Sequence, residues 1–232
     1  MTIETDCYER RNMVMRALAD KGVLGELTMG RGHYLHDCKT LGHKADGSLT
    51  WRGAIWMQGH GGQASGVHTS LPLLQMFNDP IVELYAYGPG PRTLPEFNWS
   101  DRITTAARLE SGRTLEFVTD IFSWHPTTCG YYVQGTNGYF SFNHAQVVED
   151  GKLSEKMDLD ELENRYELGD VLRDRQGHLS AWSAIIEAFI SSIDKDECPP
   201  QDIYDALQVT AIGWAVDESL ATGLPAKVSS FS

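Results

Sequence analysis

The sequence is poor in positive charge and has no long apolar run. Its 232 residues carry 19 Lys and Arg against 32 Asp and Glu, which gives a formal net charge of −13. Such a surface repels nucleic acid and anionic membranes, and no apolar stretch approaches the ~20 residues needed to cross a bilayer. The first residues, MTIETDCYERRN, lack the apolar core of a signal peptide. We therefore expect a cytoplasmic protein with no nucleic-acid or membrane partner.

Paired cysteines are also missing. The chain has no C-x-x-C pair, and its four cysteines are widely scattered: Cys7, Cys38, Cys129 and Cys198. This distribution predicts reduced thiols and argues against a disulfide or metal framework. His33 and His36 resemble metal ligands, but on a strand a spacing of three sends them to opposite faces. No metal site is therefore predicted.

Helical periodicity is confined to a few segments, without regular alternation of strands and helices. One helix is predicted to follow a capping box of Asp6 and Glu9 and to end at Gly22. Two more are predicted in the closing part of the chain, from about residues 178 and 203. The first of these carries an apolar stripe that we expect to face the core: Trp182, Ile185, Ile186, Phe189 and Ile193.

Turn signals dominate the region between residues 81 and 157. Ser111-Gly112, Asn137-Gly138 and Asp150-Gly151 each separate two strand-like segments, which is typical of hairpins. The sequence therefore predicts a single α+β domain over residues 1–232, with a large, mostly antiparallel sheet and helices packed on one face.

A glycine-rich segment, GHGGQASGVH, fits the dinucleotide-binding fingerprint at Gly59, Gly61 and Ala64. That fingerprint requires a strand before the loop and a helix starting within it. We instead predict a helix that begins after His68, with Thr69 or Ser70 as its cap and Pro72 in its first turn. His68 would then stand at a helix entrance, either as a general acid or base or as a capping or core-edge residue.

The preceding strand carries a face of small residues beside two larger ones. Thr28, Gly30, Gly32, Tyr34 and His36 share that face by the two-residue period. The glycines either leave room for a ligand or mark close packing against another element. An aromatic cluster further on is open to two interpretations, a carbohydrate-stacking surface or core and dimer packing: Tyr131, Tyr132, Tyr139, Phe140 and Phe142.

Several segments in order resemble a known family. They are LADKGVLGELTMGRGHYLHD, TWRG, GGQASGVHTSLPL, YYVQGTNGYF and IYDALQVTAIGWAVDESLATGLPAKV. Together they resemble the C-terminal, substrate-binding domain of the Gfo/Idh/MocA oxidoreductases, nearest the NAD-dependent branch that includes the family 109 glycosidases. In that family a Rossmann domain, which this chain does not resemble, binds NAD(P). The resemblance implies that this chain alone binds no cofactor and that NAD(P) is bound only with a Rossmann-domain partner. That partner is either a separately encoded subunit or a piece missing from a gene fragment. The resemblance also implies that the chain forms a homodimer.

The resemblance also implies a site and a substrate. His68 matches the family's catalytic histidine, and Tyr34, His36 and Arg52 match residues that contact the sugar. Ser65 stands where the glycosidase branch has a tyrosine, so hydride transfer on a sugar, polyol or glycoside is expected rather than glycosidase activity. The alternative function is a catalytically silent oligomerisation or sugar-binding module.

Overall fold

The computed structural model describes residues 4–57, 61–88, 90, 96–97, 100–122, 127–168 and 178–229. The chain divides into two compact units. The first comprises Met1–Gly30, Leu71–Asn78 and Tyr131–Ala206, and the second Arg31–Ser70, Asp79–Gly130 and Leu207–Ser232. The organisation of the chain as one domain stays a prediction.

Six α-helices lie within the described residues. They are α1 (Arg10–Asp20), α2 (Trp51–Met57), α3 (Gly61–Phe77), α4 (Leu159–Arg165), α5 (His178–Lys195) and α6 (Ile203–Thr222), with short 3-10 helices at Thr5–Tyr8 and Lys39–Leu41. The predicted first helix and the two closing helices are confirmed, whereas α2 and α4 were not predicted. None of these helices combines the length and apolarity needed to cross a membrane.

The capping box predicted at Asp6 and Glu9 is wrong. Glu9 precedes α1 without a side-chain cap, because Asp6 belongs to the 3-10 helix before it. The structure forms the same motif at Asp158 and Glu161, where each side chain accepts a hydrogen bond from the other residue's backbone N–H at the start of α4. The motif was therefore placed at the wrong helix.

The strands are β1 (Leu27–Leu35), β2 (Ile81–Tyr87), β3 (Arg102–Leu109), β4 (Thr114–Asp120), β5 (Thr128–Gly135), β6 (Gly138–Ser141), β7 (His144–Glu149), β8 (Lys152–Leu153), β9 (Met157–Asp158) and β10 (Ala226–Lys227). In the second unit the strand order is β10-β2-β3-β4, followed by β1. In the first unit it is β1-β5-β6-β7-β8, and β9 also pairs with β7. The hairpin pairs are antiparallel, which confirms a mostly antiparallel α+β fold.

The three predicted hairpins form where turn residues allow them. The β3–β4 turn contains Gly112, and the β7–β8 turn has Asp150 and Gly151 both at positive φ, as a two-residue turn requires. In the β5–β6 hairpin Gly138 pairs with Gly135, so the turn residues are Thr136 and Asn137. That turn is one residue earlier than predicted.

Alternating burial explains why these segments are strands. On β3 every second residue is buried, from Ile103 to Leu109, and the residues between them are exposed. Two members of the aromatic cluster, Tyr131 and Phe140, are likewise core residues, whereas Phe142 is exposed. The core interpretation of that cluster is therefore correct for Tyr131 and Phe140.

Helix α5 presents a different face to the core than predicted. Ala181, Ala184 and Ile185 are buried and pack with Tyr8. The rest of the predicted stripe is exposed, and Ile190 joins it. This exposed α5 stripe consists of Trp182, Ile186, Phe189, Ile190 and Ile193, each between 45% and 64% exposed. Two alanines and Ile185 thus form the inner face of the helix, and most of the large apolar side chains lie outside it.

A buried ion pair joins α1 to α4. The guanidinium of Arg10 donates to both carboxylate oxygens of Glu163, at 2.8 and 2.7 Å, and also contacts Asp160. The Glu163 side chain is only 1% exposed, whereas that of Asp160 is 70% exposed. A paired carboxylate in the interior depends on its partner, because the lost solvation must be replaced.

The Glu163→Ala variant should lower the free energy of unfolding by about 2–3 kcal/mol, since it removes the bidentate partner of Arg10. Asp160→Asn is the matched control, because this partner is solvated and its loss should cost less than about 1 kcal/mol. Urea denaturation measures both values. Equal effects of the two substitutions would contradict the assignment of Glu163 as the stabilising partner.

Candidate active site

Tyr34 and His36 contact each other at the end of β1. The Tyr34 hydroxyl lies 2.8 Å from Nδ1 of His36, and the two rings meet edge to face. His36 follows the strand directly, and its backbone N–H donates to the carbonyl of Asp120 at 2.7 Å. The i, i+2 spacing therefore brings both side chains to one face, as the sequence indicates.

His68 lies inside a helix, not at its entrance. Because α3 begins at Gly61, the prediction of a helix starting at Thr69 or Ser70, with Pro72 in its first turn, is wrong. His68 nevertheless reaches the predicted partners, since its ring stacks on Tyr34 with centroids 4.5 Å apart. Tyr34 thus contacts both histidines.

Pro72 explains an unusual hydrogen bond at His68. A proline has no N–H, so it cannot donate to the carbonyl four residues earlier in a helix, and that carbonyl belongs to His68. The buried thiol of Cys129 donates to it instead, at a Sγ–O distance of 3.8 Å. Cys129 therefore contacts the backbone that carries the candidate catalytic side chain.

Gly32 decides how closely β1 approaches α3. A Cβ atom at this position would lie 2.4 Å from the carbonyl oxygen of Thr69, well inside van der Waals contact. At Gly32 the interpretation of space left for a ligand is therefore wrong, and close packing is correct. This close approach is what lets Tyr34 and His68 stack.

The glycine-rich segment does not have the context of a dinucleotide site. Gly59 lies outside the described residues, and α3 starts earlier than predicted, within the fingerprint itself. The described element before it is helix α2, however, and not a strand. The strand–loop–helix unit that binds a pyrophosphate is therefore missing among the described elements.

Arg52 lies in helix α2. Thr50 caps this helix through a hydrogen bond from the Gly53 N–H to its Oγ1. Gly53 is packed so closely that a Cβ there would lie 2.1 Å from the carbonyl oxygen of Gly42. The exposed Arg52 side chain places its Cζ 4.3 Å from the ring centroid of Trp51.

Electrostatics connects Arg52 to His36. The pKa of His36 is lowered, first by burial and then by the charges of His68 and Arg52, while Asp37 opposes the shift. Neutral His36 is therefore favoured near pH 7. The four residues provide two imidazoles, a phenol and a guanidinium, a set that can exchange protons with a hydroxyl and donate hydrogen bonds to its neighbours.

Sequence reasoning left one contributor open and missed two. At Gly32 it left ligand space and close packing as alternatives, and Cys129 carried no signal because its partner is a backbone carbonyl. Trp51 was also missed, although it directly precedes Arg52 in the TWRG segment.

A separate cavity of about 550 Å³ lies in the first unit. Tyr8, Arg16 and Gln75 line it, together with Glu187 and Ser191 of α5. None of the four candidate residues borders it. The cavity and the candidate active site are therefore distinct places.

The large, mostly antiparallel sheet and its helices define a C-terminal domain of a known family. The GFO/IDH/MocA C-terminal domain matches residues 13–141, and the glycosyl hydrolase 109 C-terminal domain matches residues 89–231. Each match covers more than half of the chain. The chain belongs to the GFO/IDH/MocA family, on the branch that includes the glycosyl hydrolase 109 proteins.

Curated relatives agree with this membership. Glycosyl hydrolase family 109 proteins of Solibacter usitatus and Stenotrophomonas maltophilia are each 23% identical to this chain. The alignments cover 99% and 95% of the chain, but only 59% and 58% of those proteins. The chain thus spans less than two thirds of the length of these relatives.

Solved structures share the fold. An NAD-binding oxidoreductase from Klebsiella pneumoniae gives a TM-score of 0.74 at 15% identity, covering 98% of this chain and 65% of that one. Levoglucosan dehydrogenase in complex with NADH and levoglucosan gives 0.71 at 16% identity, covering 97% and 66%. Scyllo-inositol dehydrogenase from Lactobacillus casei gives 0.66 at 15% identity, covering 97% and 62%.

The charges around His36 should be visible in its titration. We expect His36 to titrate below its ordinary pKa near 6.5, and both His68→Ala and Arg52→Ala to raise that pKa. Asp37→Asn should lower it further, because it removes the one charge that favours the imidazolium. NMR titration of the imidazole resonances measures all four values.

Arg31→Ala is the control for this titration. Arg31 lies on the same strand but pairs with Glu116, so its removal should leave the pKa of His36 unchanged. A His36 pKa at or above 6.5 in the unaltered protein would contradict the clustering of the four residues.

Proposed function

We propose that this chain is the substrate-binding part of an NAD(P)-dependent oxidoreductase that acts on a sugar or polyol by hydride transfer. The observation that carries the proposal is the contact of Tyr34 with both His36 and His68. The charge of Arg52 acts on the imidazole of His36. Neutral acid/base groups beside a fixed positive charge suit a substrate with several hydroxyl groups.

The proposed roles follow from the chemistry of each group. His68 accepts the proton of the hydroxyl whose carbon loses a hydride, and so becomes the imidazolium as the alcohol becomes a ketone. His36 and Tyr34 hold adjacent sugar oxygens by hydrogen bonds, and His36 remains neutral for this purpose. Arg52 donates to a further oxygen as a permanently charged donor.

No described part of this chain fits NAD(P). The strand–loop–helix unit for its phosphates is missing among the described elements, so the cofactor is expected to be held by other residues, on a Rossmann-domain partner. Levoglucosan dehydrogenase, 66% of which this chain covers, has been solved with NADH and levoglucosan, so a protein of this fold can hold both a nicotinamide cofactor and a substrate.

The exposed α5 stripe supports the existence of a partner. Five large apolar side chains follow one another at helical spacing along one side of α5. A contiguous apolar surface of this kind is typical of a protein interface. We infer that a Rossmann-domain subunit covers it, and that the chain also forms a homodimer.

The exposed α5 stripe is equally expected for the alternative function, a catalytically silent assembly module. A domain retained only for assembly would need the apolar surface but not the contacts around Tyr34. The two functions therefore differ in the effect of altering His68, which an assembly module would tolerate.

Cofactor binding by the isolated chain should be undetectable. Titration with NADH, followed by the fluorescence of the nicotinamide, should give no saturable signal, because a pyrophosphate-binding helix start is lacking in the described chain. A stoichiometric response at micromolar NADH would show that the glycine-rich segment at residues 59–66 has been misinterpreted.

Turnover should depend on His68. In a complex with a Rossmann-domain polypeptide of the same family, and with levoglucosan and scyllo-inositol as trial substrates, His68→Ala should lower kcat by about 10²-fold or more. Arg52→Ala should mainly raise KM, because it removes donors to the substrate and not a proton acceptor.

Arg31→Ala, an exposed residue paired with Glu116, serves as the matched control and should retain activity. Full activity of His68→Ala would exclude the catalytic role and favour the assembly module.

A further inference from the structure

The guanidinium of Arg52 has an unusual environment. It is exposed, and among the described residues it forms no ion pair with a carboxylate; its ring contact is with Trp51, at 4.3 Å from Cζ to the centroid. An exposed arginine otherwise samples many rotamers, and ordering it on a ligand costs entropy. Stacking on an indole restricts that freedom before any ligand arrives.

Stacking also leaves the hydrogen-bonding capacity of Arg52 intact. A guanidinium stacks through its flat face, whereas its five N–H groups point outward in the plane. The indole therefore holds the group without using its donors, which an ion pair with a carboxylate would use.

The backbone of Trp51 is held in place, although its ring is not part of the core. The residue is 64% exposed, but the first turn of α2 is held by the Thr50 cap and by the close contact of Gly53 with Gly42. The ring therefore projects from an ordered helix turn, and its replacement should leave the fold intact.

We propose that Trp51 is a positioning residue, which holds the guanidinium of Arg52 over its indole ring so that the N–H edge is presented to adjacent oxygens of a bound sugar or polyol. This inference rests on the proposed function, because it deepens the role of Arg52 as a substrate contact. Trp51 acts through Arg52, so its effect on the ligand disappears when Arg52 is absent.

The test is a double-mutant cycle with Trp51→Ala, Arg52→Ala and the double variant, together with Trp51→Phe. Affinity for levoglucosan and scyllo-inositol is measured by NMR titration of the full chain. Trp51→Ala should weaken binding about two- to fivefold, the range of an exposed cation–π contact. Trp51→Phe should recover part of the loss, and the double variant should bind no more weakly than Arg52→Ala.

A second measurement does not depend on a sugar. The charge of Arg52 lowers the pKa of His36, so releasing the guanidinium in Trp51→Ala should move the His36 titration part of the way toward that of Arg52→Ala. Met57→Ala, which alters an exposed residue at the far end of α2 and leaves the ring contact in place, is the control and should change neither quantity.

The outcomes distinguish a failure of the positioning role of Trp51 from a failure of the proposed function. If the sugars bind and Arg52→Ala weakens them, but Trp51→Ala changes neither affinity nor titration, the positioning role is wrong and the proposed function stands. If neither sugar binds the unaltered chain, the sugar-directed role of Trp51 falls with the proposed function. A shifted His36 titration in Trp51→Ala would then still establish the link from Trp51 to Arg52.

Discussion

The candidate site depends on one steric constraint, the absence of a side chain at Gly32. There the backbone of β1 approaches the carbonyl of Thr69 more closely than any Cβ would permit. Two residues further along the strand, Tyr34 stacks on the ring of His68, the residue before Thr69. A strand and a helix held at ordinary spacing would separate these rings. The geometry of the site thus depends on the absence of a Cβ at Gly32 as much as on the polar side chains around it.

The charges of the site have a consistent direction. Burial and the charges of His68 and Arg52 favour the neutral form of His36. Its Nδ1 atom shares a hydrogen bond with the Tyr34 hydroxyl. The permanent positive charge is that of Arg52, whose guanidinium lies over the indole ring of Trp51. The groups able to exchange protons and the permanent charge therefore belong to different side chains.

Local turn chemistry and two-residue alternation were readable from the sequence, because both depend on neighbours in the chain. The hairpins around Gly112 and Gly151 and the pairing of Tyr34 with His36 are examples. The start of α3 was not readable, since residues 61–66 are rich in glycine and have poor helix propensity, which tertiary context overrides. Nor could periodicity alone show that α5 buries its alanines and exposes Trp182 and Phe189.

Pro72 has a mechanical consequence for His68. Elsewhere in a helix each carbonyl is tied to an amide four residues on, but the carbonyl of His68 is met by a thiol, which is a weak donor. The carbonyl beneath the imidazole is thus held by a contact from outside its own helix, because Cys129 belongs to β5. The position of this turn therefore depends on the sheet as well as on α3.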